Sequence, residues 1–169
     1  MKKALLICVV AVSLSGCASL MSSAASGLAD SISESVLNQD DPETAKAALP
    51  TFMVLIDGFI TDNPEDPEIL ASGATLYASY GAIFADDEVR ASRLTARARG
   101  YALQAMCVSY APACSWPDDT YDEFVASLEG VGPKLSETLY TYGFASLAFL
   151  RAHSSDWNSL AELPQITEL

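Results

Sequence analysis

Four consecutive residues, His153, Ser154, Ser155 and Asp156, carry the side-chain types of a hydrolytic triad. A triad needs nucleophile, base and orienting acid to converge in space, which neighbours in sequence rarely do. No Gly-x-Ser-x-Gly elbow presents a serine elsewhere. His153 reads instead as a surface histidine at a helix C-terminus. Paired carboxylates could support glycoside chemistry. Asp62, Glu65 and Asp66, like Asp86, Asp87 and Glu88, are however accounted for as helix caps and solvated turns. No residue is assigned a catalytic role, and the chain is expected not to be an enzyme.

Two polar features fit recognition better than catalysis. Arg90, Arg93 and Arg97 fall on one helical face, with Arg99 nearby. They read either as ion-pair partners of neighbouring acids or as a docking patch for an acidic partner or anionic ligand. Asp57, followed by Gly58, interrupts an otherwise apolar helix face. A sheltered carboxylate must find donors or become neutral, so Asp57 is expected either to cap a neighbouring helix end or to face a polar cavity.

The segment that places this chemistry in the cell is the N-terminus. Lys2 and Lys3 form a basic start, and Ala4 to Leu14 an apolar run too short to span a bilayer. Leu14-Ser15-Gly16-Cys17 then resembles the lipobox of bacterial lipoproteins. Residues 1–16 are thus expected to be a signal peptide and Cys17 the lipidated first residue of the mature chain. Residues 17–27 read as a Ser/Ala tether, and 28–169 as the folded domain. Ala18, where an Asp would favour inner-membrane retention, points the anchor toward the outer membrane, on the periplasmic side.

The full chain of 169 residues carries 22 acidic and 9 basic residues. With Lys2 and Lys3 removed, seven basic residues remain and the formal charge is −15. Such a chain is a poor partner for nucleic acid and is repelled by anionic headgroups, so the acyl chains must supply the membrane affinity. Cys8 leaves with the leader. Cys107 and Cys114, with six residues between them, most often form a disulfide in an exported protein; two free thiols or a metal pair are the alternatives. Zinc is disfavoured because His153 is the single histidine and is remote in sequence. No cofactor is expected beyond the covalent lipid on Cys17.

All the elements positioning these residues read as helices. Leu28, Ile32 and Val36 are spaced by four. Asp41-Pro42-Glu43 opens a helix to about Thr61, with Phe52, Leu55, Ile56, Phe59 and Ile60 on one apolar face. Pro50 predicts a kink or break near Leu49. Asp62-Asn63-Pro64 stops that helix, and Asp66-Pro67-Glu68 opens another to about Ala85. This second helix carries a small-residue stripe (Ala71, Gly73, Ala74, Ala78, Gly81, Ala82, Ala85) and an aromatic line, Tyr77, Tyr80 and Phe84. Small-against-large alternation suits antiparallel helix pairs. A third helix starts at Asp86-Asp87-Glu88 and runs to about Ser109. Asp118 and Asp119 open a short one through Leu128, and Lys134 to Ala152 forms the last. The fold class is all-α, in tetratricopeptide-like antiparallel hairpins.

Several stretches together resemble the T-component lipoproteins of TRAP transporters (the TatT family). They are Asn38-Gln39-Asp40-Asp41-Pro42, Leu49-Pro50, Leu55-Ile56-Asp57-Gly58-Phe59-Ile60, Asn63-Pro64, Tyr77-Ala78-Ser79-Tyr80, residues 93–98, Tyr101 to Cys107, and Ser154-Ser155-Asp156-Trp157-Asn158. The resemblance implies a non-enzymatic homo-oligomer, a trimer, that docks the periplasmic solute-binding P-component of a TRAP uptake system. It would pass on a small hydrophobic or organic-acid ligand. Asp57, Tyr77, Tyr80, Phe84, Arg90, Arg93 and Arg97 are the candidate ligand or partner surface. The family continues through further hairpins whereas this chain stops at Leu169, so it is expected to be a C-terminally truncated member. The alternative function is a helical-repeat lipoprotein that scaffolds outer-membrane or envelope assembly.

Overall fold

A computed structural model describes residues 38–169 together with Gly27, Ser31, Glu34 and Ser35. The leader, Cys17, most of the tether and the apolar positions Leu28, Ile32 and Val36 lie outside the described residues. The described residues form helices and turns with no strand among them.

Helix α1 (Pro42–Asp62) begins as its start signal requires. The Asp41 side chain accepts from the Glu43 N–H, and Pro42 occupies the first turn. Of the kink or break expected at Pro50, the break does not occur: the helix runs on through it. An interior proline costs roughly 3 kcal/mol through the lost hydrogen bond and the ring clash. Here it is flanked by Leu49, Met53 and Ile56, all buried against the next helix, and this packing holds the segment helical. The apolar face is also rotated from the expected one. Leu49, Met53, Ile56 and Ile60 point inward, Phe52 and Phe59 are half-buried, and Leu55 stands exposed beside Val54. By length and composition α1 would pass as a membrane span, but one face is committed to the helical core.

Helix α2 (Pro67–Ile83) is capped by Asp66, whose carboxylate accepts from the N–H groups of Glu68 and Ile69. It is the central helix, with most of its residues buried, and it ends two residues before the expected Ala85. Its small residues set the spacing. A Cβ on Gly73 would stand 2.7 Å from Ile60 Cδ1 of α1. A Cβ on Gly81 would stand 2.9 Å from Thr95 Cγ2 of helix α3 (Glu88–Ser109). At Gly73 the Ile60 side-chain tip would have to swing aside to admit a methyl group, whereas at Gly81 the side chain and backbone of the buried Thr95 leave room only for glycine. Asp57 pairs with Tyr77 while Ile60, further along α1, lies against Gly73, and Tyr77 pairs with Arg97 while Gly81 lies against Thr95, so α1, α2 and α3 run antiparallel in succession. Asp87 caps α3 through the Arg90 N–H.

After α3 the chain reverses through a 3₁₀ turn, Ala111–Ser115, tied back by a disulfide between Cys107 and Cys114 with Cα atoms 4.6 Å apart. Helix α4 (Tyr121–Leu128) follows. Its cap is Thr120 rather than Asp118 or Asp119: Thr120 and Glu123 form a reciprocal capping box. A 3₁₀ turn at Pro133–Leu135 leads into α5 (Ser136–Ala152), which packs on both α2 and α3. Two short turns, α6 (Trp157–Leu160) and α7 (Leu163–Ile166), then fold back. Leu169 reaches Gly143 on α5, and Arg99 of α3 pairs with Glu162. The core is continuous, running from Leu49 through Ile69, Ala98 and Met106 to Trp116, Phe124 and Tyr142.

Candidate functional site

The acids and the His-Ser-Ser-Asp run weighed for catalysis serve structure. Asp156 accepts from the Asn158 N–H and the Ser159 hydroxyl at the start of α6. The His153 ring lies 3.9 Å from that of Phe149, stacked, with Nδ1 2.9 Å from the Phe149 carbonyl oxygen. Ser154 and Ser155 are exposed. These four residues do not form a triad. Asp66 and Asp87 are helix caps, and Asp86 pairs with Lys46 at 2.7 Å and with Arg90 at 3.8 Å. The Lys46 ammonium, by hydrogen bond and charge, holds the Asp86 carboxyl below its ordinary range. Among the described residues no group of three or more His, Cys, Asp or Glu side chains could hold a metal ion.

The most elaborate polar cluster gathers three helices around Asp57. The carboxylate of this α1 residue does not cap a helix end, one of the two settings expected for it. It takes donors from side chains instead. Tyr77 of α2 donates to Oδ2 at 2.6 Å, and Arg97 of α3 donates to the same oxygen at 2.9 Å. Tyr101, one turn beyond Arg97, donates to Oδ1 at 2.8 Å. Arg97 also donates to the Tyr77 hydroxyl at 3.0 Å, and its guanidinium lies 5.4 Å from the centre of that ring. The two rings meet edge-on, with centroids 5.8 Å apart.

Electrostatics fix the proton inventory of this cluster. Burial first, and then hydrogen bonding to the Asp57 carboxylate, raises both phenols above their usual range, Tyr101 the more strongly. Both hydroxyls therefore stay protonated as donors. Arg97 is pushed up from its ordinary value, chiefly by its hydrogen bond to Tyr77. The Arg97 side chain remains 53% exposed while Asp57 is 29% exposed. The cluster is a saturated carboxylate with one cation turned outward, suited to holding three helices together and presenting a charge.

Arg97 continues a ridge along α3. Arg90 stacks over Tyr80 at 5.1 Å, so the α2 aromatic line lies beneath the arginines as Arg97 lies over Tyr77. Phe84 packs on Tyr80 with centroids 5.9 Å apart. Arg93 is exposed and makes no ion pair among the described residues. Arg99 does not join the ridge. Two residues beyond Arg97, it lies on the opposite side of α3, over Phe149 and against Glu162. The structure thus brings together Asp57, Tyr77, Tyr80, Phe84, Arg90 and Arg97 as one tract, with Arg93 on its open side. Tyr101 was missed as a site residue; its i+4 spacing from Arg97 was the available signal.

Two surface clefts lie apart from this tract. One, about 460 Å³, is bounded by Ala85, Asp87, Ala91, Arg151 and Ser155, where α2, α3 and α5 meet. The other, about 430 Å³, lies between Trp116, Pro117 and Tyr121 and the segment from Ala161 to Gln165. Neither includes Asp57 or Arg97.

The described residues define an all-α protein of antiparallel helical hairpins whose central polar cluster is saturated by its own side chains. The family model described as TRAP transporter T-component matches residues 38–169. The chain belongs to that family, which comprises accessory components of a transport system and is not an enzyme family. No curated protein and no solved structure matches it.

Proposed function

We propose that this chain is a lipoprotein, anchored through Cys17 on the periplasmic side and toward the outer membrane, that serves a TRAP-type uptake system as a homotrimeric accessory scaffold. It docks the periplasmic solute-binding protein and passes a small hydrophobic or organic-acid ligand along its helical surface. The observation carrying this reading is the family match over residues 38–169. The outward arginine ridge supports it: Arg93, exposed and without an ion pair among the described residues, stands between the ion-paired Arg90 and Arg97 on a chain of formal charge −13. Such a tract steers acidic partners or anionic ligands toward one face.

The test is retrieval from solubilised membranes. A tagged full-length chain should co-elute with the solute-binding protein encoded beside it, and labelled fatty acid should appear on the wild-type chain but not on Cys17→Ser. Independent elution of the two proteins at concentrations of roughly tens of micromolar, where even a weak complex of this kind forms, would remove the docking role. An unlabelled wild-type chain would remove the anchor.

A further inference from the structure

The outer side of α5 carries an apolar stripe that no other described element covers. Tyr140 is 75% exposed, Leu147 is 53% exposed, and Phe144 between them is half-buried. Glu137 and Arg151, both exposed, terminate the stripe and make no ion pair among the described residues. The spacing 137, 140, 144, 147, 151 alternates three and four, so all five residues share one narrow face of the helix.

This face has a symmetry of its own. Phe144 is its midpoint, with the acid seven residues before it and the base seven after. If a second α5 is laid antiparallel across the first on a two-fold axis at Phe144, Tyr140 of each copy comes within one residue's rise, about 1.5 Å, of the level of Leu147 of the other. Glu137 of each copy then meets Arg151 of the other, at both ends. The length also fits: fourteen residues of helix separate the two charges, about 21 Å. A parallel copy would set acid against acid and base against base, so the charge pattern selects the antiparallel arrangement.

We propose that the Glu137–Tyr140–Phe144–Leu147–Arg151 face of α5 is a two-fold contact between two copies of this chain. Such a contact is isologous, each copy offering the same patch. A three-fold ring is built from heterologous contacts instead, so the two-fold contact does not depend on the trimer proposed above. The apolar seam supplies the affinity, and the end charges set the register.

Charge reversal tests this directly. The full-length chain in detergent, followed by sedimentation across a wide concentration range, should show a step that doubles the mass of the associating unit, whether that unit is one chain or the trimer. Glu137→Arg and Arg151→Glu should each raise its dissociation constant by roughly tenfold, because symmetry turns one substitution into two like-charge contacts. The double reversal should return it to near the wild-type value. Leu147→Glu should abolish the step while the helical circular-dichroism signal and melting temperature stay as in wild type, since the side chain lies on the surface. Three results would overturn the proposal: no two-fold step at any concentration, a step indifferent to the single reversals, or a double reversal no better than either single one. An α5 face that instead proved necessary only for retrieving the solute-binding protein would overturn it as well.

Discussion

The Tyr101 hydroxyl donates to Asp57 Oδ1 at 2.8 Å from 44 positions further along the chain, joining the third long helix to the first over the edge of the second. Tyr77 closes the triangle from below, and Arg97 closes it from the solvent side. Removing the carboxylate leaves three donors facing an empty centre. Asp57→Ala is therefore expected to lower stability by about 2–4 kcal/mol, and Asp57→Asn by about 1–2 kcal/mol because one acceptor oxygen survives. Urea titration of both variants against wild type, at constant slope, measures the difference.

The same triangle makes the fold sensitive to alkali. Folded Tyr77 and Tyr101 hold their protons above the ordinary phenol value of 10.0. The unfolded chain releases those protons as pH passes 10, so the stabilisation is complete below that point and is lost as pH climbs toward the folded values. The decline is at most about 1.4 kcal/mol per pH unit for each phenol. Tyr101→Phe should flatten the fall in unfolding free energy above pH 10 while leaving the neutral-to-acid profile parallel to wild type. An unchanged alkaline slope would separate Tyr101 from this behaviour.

Two helical glycines should respond oppositely to alanine. A Cβ on Gly81 meets Thr95 Cγ2 at 2.9 Å and the Thr95 N at 3.3 Å. Thr95 is fully buried, with its hydroxyl held by the Ala91 carbonyl at 2.8 Å, so it has no room to yield. Gly81→Ala should cost about 1–3 kcal/mol. Gly100 lies exposed on α3, and a methyl group there would meet nothing within 4 Å. Gly100→Ala should therefore stabilise by about 0.4–1 kcal/mol. Thermal melts of the pair test the packing between α2 and α3 against plain helix propensity.

Ser146 offers a gain of another kind. Its Oγ is buried without a hydrogen-bond partner among the described residues. Removing an unsatisfied buried hydroxyl recovers its desolvation cost, so Ser146→Ala should raise stability by roughly 1 kcal/mol. A destabilised variant would mean that the hydroxyl is satisfied in solution, for instance by water.

What the sequence made legible follows the strength of each local signal. Asp41-Pro42 and Asp66-Pro67 combine a cap with a preset backbone angle, and both open helices as expected. Thr120 carries its own capping-box signal with Glu123, but the two acids just before it also fit an N-cap pattern and mask it. Pro50 signals a break that does not occur, because propensity counts its lost hydrogen bond but not the burial of Leu49 and Met53 around it. The error at Leu55 is rotational: a helix dense in apolar residues has no unique face until a neighbour chooses one, and α2 chose Met53 and Ile60. For Asp57 the sequence reveals the problem but not its solution. The donors arrive from Tyr77 and Tyr101, and only the succession of antiparallel helices sets those residues beside it. Arg99 sits next to the ridge in sequence, yet two residues along a helix place a side chain on the far side.

Arg93 separates a docking ridge from a merely structural one. Arg90 and Arg97 are engaged, by Asp86 and Tyr80 and by Asp57 and Tyr77 respectively, so replacing either disturbs packing as well as charge. Arg93 sits between them, exposed and without an ion pair among the described residues, so its substitution changes the field and little else. If the ridge meets an acidic surface on the solute-binding protein, Arg93→Glu should weaken that complex by roughly fivefold to tenfold, mainly through slower association, and should flatten its salt dependence. The melting temperature should stay at the wild-type value. Lys134→Glu, the same charge change at an exposed turn before α5, controls for net charge and should shift binding far less. Equal effects from the two substitutions would mean that overall charge, and not the α3 ridge, governs the encounter.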